Sequence, residues 1–108
     1  MQVQINTDAN IARDDTLTSL TVEIEGTLRR SMERFSDRIT RIEVHLTDEN
    51  GQAKSGGNDK RCLLEVRLAG LQPMTVSHDA PSIEQAVSGA VQRMKRSLTS
   101  ASGRLNHH

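Results

Sequence analysis

Around Phe35 the hydrophobic period of this 108-residue chain changes abruptly. Upstream, Leu17, Leu20, Ile24, Leu28, Met32 and Phe35 recur at three- and four-residue steps, the stripe of an amphipathic helix. Downstream, Ile42, Val44 and Leu46 alternate with Arg41, Glu43 and His45, the beat of a strand with one buried face. Only a short corner holding Asp37 and Arg38 separates the two patterns. A helix that runs almost directly into a strand describes a compact αβ unit.

The rest of the chain fits around that unit. Val3 and Ile5 alternate with polar neighbours in a short first strand, Gln2 to Asn6. Asp14 or Asp15 is placed to cap the first helix, which should run to about Phe35 despite Gly26. The second strand is expected over Arg38 to Thr47. A Gly-, Asn- and Asp-rich hairpin loop follows, and the third strand runs from Lys60 to Ala69. Gly70 and Pro73 break that strand before a fourth, Met74 to His78, which gives an antiparallel meander. A second helix begins near Asp79 to Ser82, with Pro81 tolerated in its first turn, and carries Ile83, Val87, Ala90, Val91, Met94 and Leu98 as its stripe. It is expected to fray from about residue 100, near Gly103. The fold class is α+β, β-α-β-β-β-α: one domain over residues 1–108, a four-stranded sheet with two helices on one face.

Phe35 is the only aromatic residue, so the core must be aliphatic, and stability of about 5–8 kcal/mol is expected. The lone Cys62 excludes an intramolecular disulfide framework and alternates with Leu64 and Val66 as a core residue. No apolar run reaches membrane-spanning length and no signal-peptide pattern opens the chain, so a cytoplasmic location is expected. His107 and His108 are assigned no role.

Fourteen basic and fourteen acidic residues cancel, so the placement of charge matters more than its sum. Eleven of the cations are Arg, the side chain that grips phosphate as a planar fork. Projected at 100° per residue, Arg30 and Arg34 share a flank of the first helix and Arg38 continues the line, while Arg93 and Arg96 share a flank of the second. Two helices side by side would let both rows border one groove for nucleic-acid phosphates. The same rows also suit solvated faces with local ion pairs, of which Glu25 with Arg29 is one. Lys60 and Arg61, at the re-entry of the glycine-rich loop, form a second basic patch.

The outer sheet face should show Gln2, Gln4, Asn6, Arg41, Glu43, His45, Arg61, Leu63, Glu65 and Arg67, without the aromatic platforms of a sheet-based single-strand RNA binder. Asp48, Asn50 and Asp59 lack calcium-loop spacing, and His45, His78 and Cys62 have no partners at triad-like or ligand-like positions. Neither catalysis, a metal nor another cofactor is expected, and neither is a small-molecule substrate.

The segment Phe35-Ser36-Asp37-Arg38-Ile39-Thr40-Arg41-Ile42-Glu43-Val44-His45-Leu46, the opening Met1 to Ile5 and the run Ser82 to Ser88 with Arg93 to Leu98 resemble the ribosome hibernation-promoting factor family, also called ribosome-associated inhibitors or sigma-54 modulation proteins. The loop borders, His45 to Gly51 and Asp59 to Cys62, resemble a divergent single-domain subgroup. The resemblance implies a double-stranded-RNA-binding-like fold that lodges in the small ribosomal subunit against 16S rRNA. There it would exclude mRNA and tRNA during stasis, without chemistry. Arg38, Arg93 and Arg96 fall at basic positions of the family pattern, whereas Arg30 and Arg34 come from the helical projection. Glu84 and Ser88 stand where relatives often carry Tyr and Asp, and Thr99 to Ser102 replace a lysine-rich continuation. Pairing of ribosomes through the extra domain of long family members is not expected. The alternative is a divergent protein-interaction or regulatory module that does not bind ribosomes.

Overall fold

The computed structural model describes residues 1–8, 17–48 and 60–106. In chain order it contains β1 (Gln2–Thr7), α1 (Leu17–Ser31), a 3-10 turn (Glu33–Phe35), β2 (Ile39–Asp48), β3 (Lys60–Leu68), β4 (Met74–Ala80) and α2 (Ile83–Asn106). The strands form one sheet in the order β1-β2-β3-β4, with β1 parallel to β2 and the other pairs antiparallel. The expected α+β layout and the β2-β3-β4 meander are both present. Parallel pairing of β1 with β2 requires a crossover, and α1 supplies it. Both helices therefore run in the same direction, from the β2–β3 loop end of the sheet toward the corner at Arg38.

The inner face buries Ile42, Val44, Leu46, Cys62, Leu64, Val66 and Leu68 against Ile24, Leu28, Met32 and Phe35 of the first helical segment and Ala86, Val87, Ala90, Val91, Met94 and Leu98 of α2. These residues belong to the stripes that the two periodicities single out, with Ala86 added, whereas Leu20 and Ile83 of the same stripes are only partly buried. Burial raises the Cys62 thiol to about 12, so almost no thiolate forms near neutral pH. Alkylation of Cys62 by iodoacetamide is accordingly expected to track global unfolding in denaturant; fast labelling of the native protein would contradict the buried placement.

Besides one-residue changes at strand ends, the structure departs from the sequence reading in four ways. The α-helix ends at Ser31, and the chain tightens into the 3-10 turn instead of running as one helix to Phe35. There Phe35 N–H donates to the Met32 carbonyl and Arg38 N–H to the Phe35 carbonyl, which folds Phe35 into the core. At Thr40 the β2–β3 register shifts, so Ile39 and Ile42, three residues apart, both face inward. β4 continues to Ala80, and Pro81 precedes the helix rather than opening it. Ser82 is the cap: its Oγ accepts the Gln85 N–H at 3.2 Å and its hydroxyl faces Gln85 Oε1. Finally, α2 continues as helix to Asn106, past the fraying expected from about residue 100. The proposed caps Asp14 and Asp15, the loop residues 49–59, and His107 and His108 lie outside the described residues.

Candidate nucleic-acid interface

Strand register lays out the outer sheet face as cross-strand rows. Gln2, Arg41 and Arg67 form one row; Gln4, Glu43, Glu65 and Thr75 the next; Asn6, His45, Leu63 and Ser77 a third; Thr47, Arg61 and Asp79 a fourth. Its charges are satisfied internally. Arg41 contacts Gln2, Gln4 and Glu43, and Arg67 lies 3.2 Å from Glu65 and 3.8 Å from Glu43. Hydrogen bonding to Glu65, directly opposite, and then the Arg41 charge hold the Glu43 carboxyl below its ordinary range.

The second basic patch is paired as well. Lys60 sits 3.3 Å from Asp48, and Arg61 Nε donates to Asp79 at 2.8 Å. Arg61 thereby holds the Asp79 carboxyl below the usual carboxylate range. A depressed carboxylate stabilises the fold above its unfolded pKa, and that contribution is lost as pH falls through the folded value. Both partners are well exposed, so Asp79→Asn is expected to cost less than about 1 kcal/mol at neutral pH, with the difference vanishing in strong acid. Urea titrations at the two pH values check it.

The helical layer differs. Arg30, Arg34, Arg38, Arg93 and Arg96 are exposed, and among the described residues none of them is ion-paired with a carboxylate. Arg30 donates only to Thr27 Oγ1, at 3.5 Å, and the Arg34 guanidinium lies 5.1 Å above the centre of the Phe35 ring. The Arg38 backbone is pinned: its carbonyl accepts the Ala69 N–H at 2.8 Å, tying the corner to the end of β3.

These cations do not border one groove, as the helical projections suggested. Past Ser31 the 100° projection no longer applies, so Arg34 and Arg38 leave the line of Arg30. The groove between α1 and α2 is lined by Glu23, Thr27, Ser31, Glu84, Ser88 and Gln92 over an apolar floor, with no cation on its walls among the described residues. Arg93 and Arg96 lie on the opposite flank of α2, beside Thr75, Val76, Ser77 and Ser97. Arg34, Arg38 and Arg96 lie instead toward one end of the sheet, with Arg93 about one turn farther back along α2. Arg38 precedes β2, Arg34 lies in the turn before it, and Arg96 lines a notch with Met74, where β4 begins. Lys60 and Arg61 open β3 at the other end.

No catalytic or metal constellation assembles among the described residues. His45 is exposed on the outer face while Cys62 is buried on the inner face, and no group of three or more His, Cys, Asp and Glu converges. No described helix is long and apolar enough to cross a membrane.

Residues 15–106 match the family model described as sigma 54 modulation protein / S30EA ribosomal protein. The chain belongs to that family. No curated protein matches by sequence. Among solved structures, the fold is similar to the N-terminal domain of Thermus thermophilus Protein Y, with a TM-score of 0.66 at 18% identity over 90% of this chain and 94% of that one. It is likewise similar to a ribosomal subunit interface protein from Coxiella burnetii, with a TM-score of 0.65 at 14% identity over 95% and 99% of the two chains. Both solved structures share the fold of this chain, and the family match spans the corner from Phe35 to Leu46.

Proposed function

We propose that this protein is a ribosome-associated translation inhibitor of the cytoplasm. It binds the small subunit through 16S rRNA phosphates and blocks the mRNA and tRNA sites during stasis by occupancy, without catalysis. Family membership supports ribosome association, and the sorting of the arginines carries the choice of surface. Arg30, Arg34, Arg38, Arg93 and Arg96 can accept phosphate without giving up a carboxylate, whereas Lys60 and Arg61 must first release Asp48 and Asp79. Lys60 and Arg61 accordingly play the lesser part. Sedimentation of a tagged full-length chain through sucrose gradients, in growing and stationary cells, tests the reading. Co-migration with small subunits in stationary phase at low salt is expected; absence from every ribosomal fraction would reject it. A protein-interaction module remains the competing reading, and a single partner retained after ribonuclease treatment would favour it.

A further inference from the structure

The groove between α1 and α2 has a chemistry opposite to that of the arginine end. Its floor is aliphatic, built from Leu20, Ile24, Val87 and Val91, and Glu23 and Glu84 stand on its two walls. The cavity holds about 230 Å³, more than one long side chain needs. Among the described residues neither carboxylate has an ion-pair partner. Glu84, in the first turn of α2, is favoured by the helix dipole, but Glu23 lies inside α1 and has no such support. RNA laid over this groove would bring phosphate against two carboxylates, an unfavourable match in charge. A hydrocarbon stem with a cationic head matches both parts: the stem covers the aliphatic floor and the head sits between the carboxylates.

We infer that the inter-helix groove seats a lysine or arginine side chain from a basic, extended segment of a partner protein. This goes beyond phosphate binding and does not depend on it. It gives the helical layer two contacts of opposite sign, arginines for RNA and a carboxylate-walled slot for protein.

The test uses the isotope-labelled full-length chain and an acetylated, amidated Gly-Lys-Gly-Arg-Gly peptide, followed by amide chemical shifts. Shifts should concentrate on residues lining the groove. The Glu23→Gln/Glu84→Gln double variant should weaken binding by about tenfold at low salt, as expected for removing two charge-assisted contacts. A control peptide with norleucine in place of both basic residues should bind as weakly to the parent chain. Arg93→Glu/Arg96→Glu should leave peptide binding unchanged, which separates this site from the phosphate surface. If that variant loses ribosomes but keeps the peptide, both readings stand. If the unaltered chain ignores ribosomes yet takes the peptide, only the phosphate reading falls. Shifts lying elsewhere, equal affinity in the Gln variant, or spermidine binding the same residues more tightly than the peptide would overturn the proposal.

Discussion

Reversing charge at Arg93 and Arg96 together is expected to lower affinity for small subunits on the order of a hundredfold at physiological salt, and to flatten the dependence of log K on log salt by nearly two. Each guanidinium that neutralises a phosphate releases a counterion, and each such contact contributes about 0.7–0.9 to the slope. The two side chains share one flank of α2 beside β4, are exposed, and are engaged by no carboxylate among the described residues. Their reversal should therefore change stability by no more than about 0.5 kcal/mol. Arg34→Glu/Arg38→Glu should act in the same direction from the corner. Lys60→Glu/Arg61→Glu should cost less, because those cations already neutralise Asp48 and Asp79. Co-sedimentation over a salt series, with thermal melts as the control for folding, decides among these. Unchanged affinity in the Arg93/Arg96 variant would move the interface off that flank.

A second large effect is expected at Gly89, inside α2. A Cβ built there would fall 2.0 Å from the Cδ2 atom of His78, whose imidazole packs onto the helix backbone from β4. Gly89→Ala gains about 1 kcal/mol of helix propensity, but forcing a carbon into that contact costs about 1–3 kcal/mol. The substitution should destabilise the protein in the presence of His78 and stabilise it by about 1 kcal/mol in a His78→Ala background. A reversal of sign across the double-mutant cycle isolates the contact from propensity. For a domain of about 5–8 kcal/mol the loss is readable by urea denaturation. Equal effects in both backgrounds would mean that the ring yields without cost.

Much of the fold was legible because it rests on periodicity. Ile42, Val44 and Leu46 declare a buried strand face, and Ile83, Val87, Ala90, Met94 and Leu98 declare a helix, whatever surrounds them. The end of α1 was not legible, since Leu28, Met32 and Phe35 keep the same apolar spacing through an α-helix or a closing 3-10 turn. Placement of the arginines was only half legible. A helical projection gives the angle of Arg93 and Arg96 relative to the core, but not which neighbour flanks α2 on either side. Once β4 occupies the flank of those arginines and α1 the other, the shared-groove picture gives way, and only Arg34, Arg38 and Arg96 lie toward one end of the sheet. Pairing decided the rest: Lys60 meets Asp48 and Arg61 meets Asp79 through strand register, information that separate segments do not carry. Gly89 gave no local signal, since an isolated glycine in a helical pattern is simply tolerated at a cost of about 1 kcal/mol. Nothing in the sequence named His78 as the group approaching it, and nothing aligned Glu23 with Glu84.

The parallel edge strand has a consequence for how the chain is assembled. Among the described strands β1 pairs only with β2, and Gln2 must wait for Arg41 before its row closes. As the polypeptide emerges from its own synthesis, the first strand therefore stays unzipped until the helix and the second strand have followed. The meander can close by shorter excursions than this crossover. Amide exchange should accordingly find β1 the earliest strand of the sheet to open, at a free-energy cost below that of global unfolding. Of the strand pairings, that of β1 waits on the longest excursion of the chain.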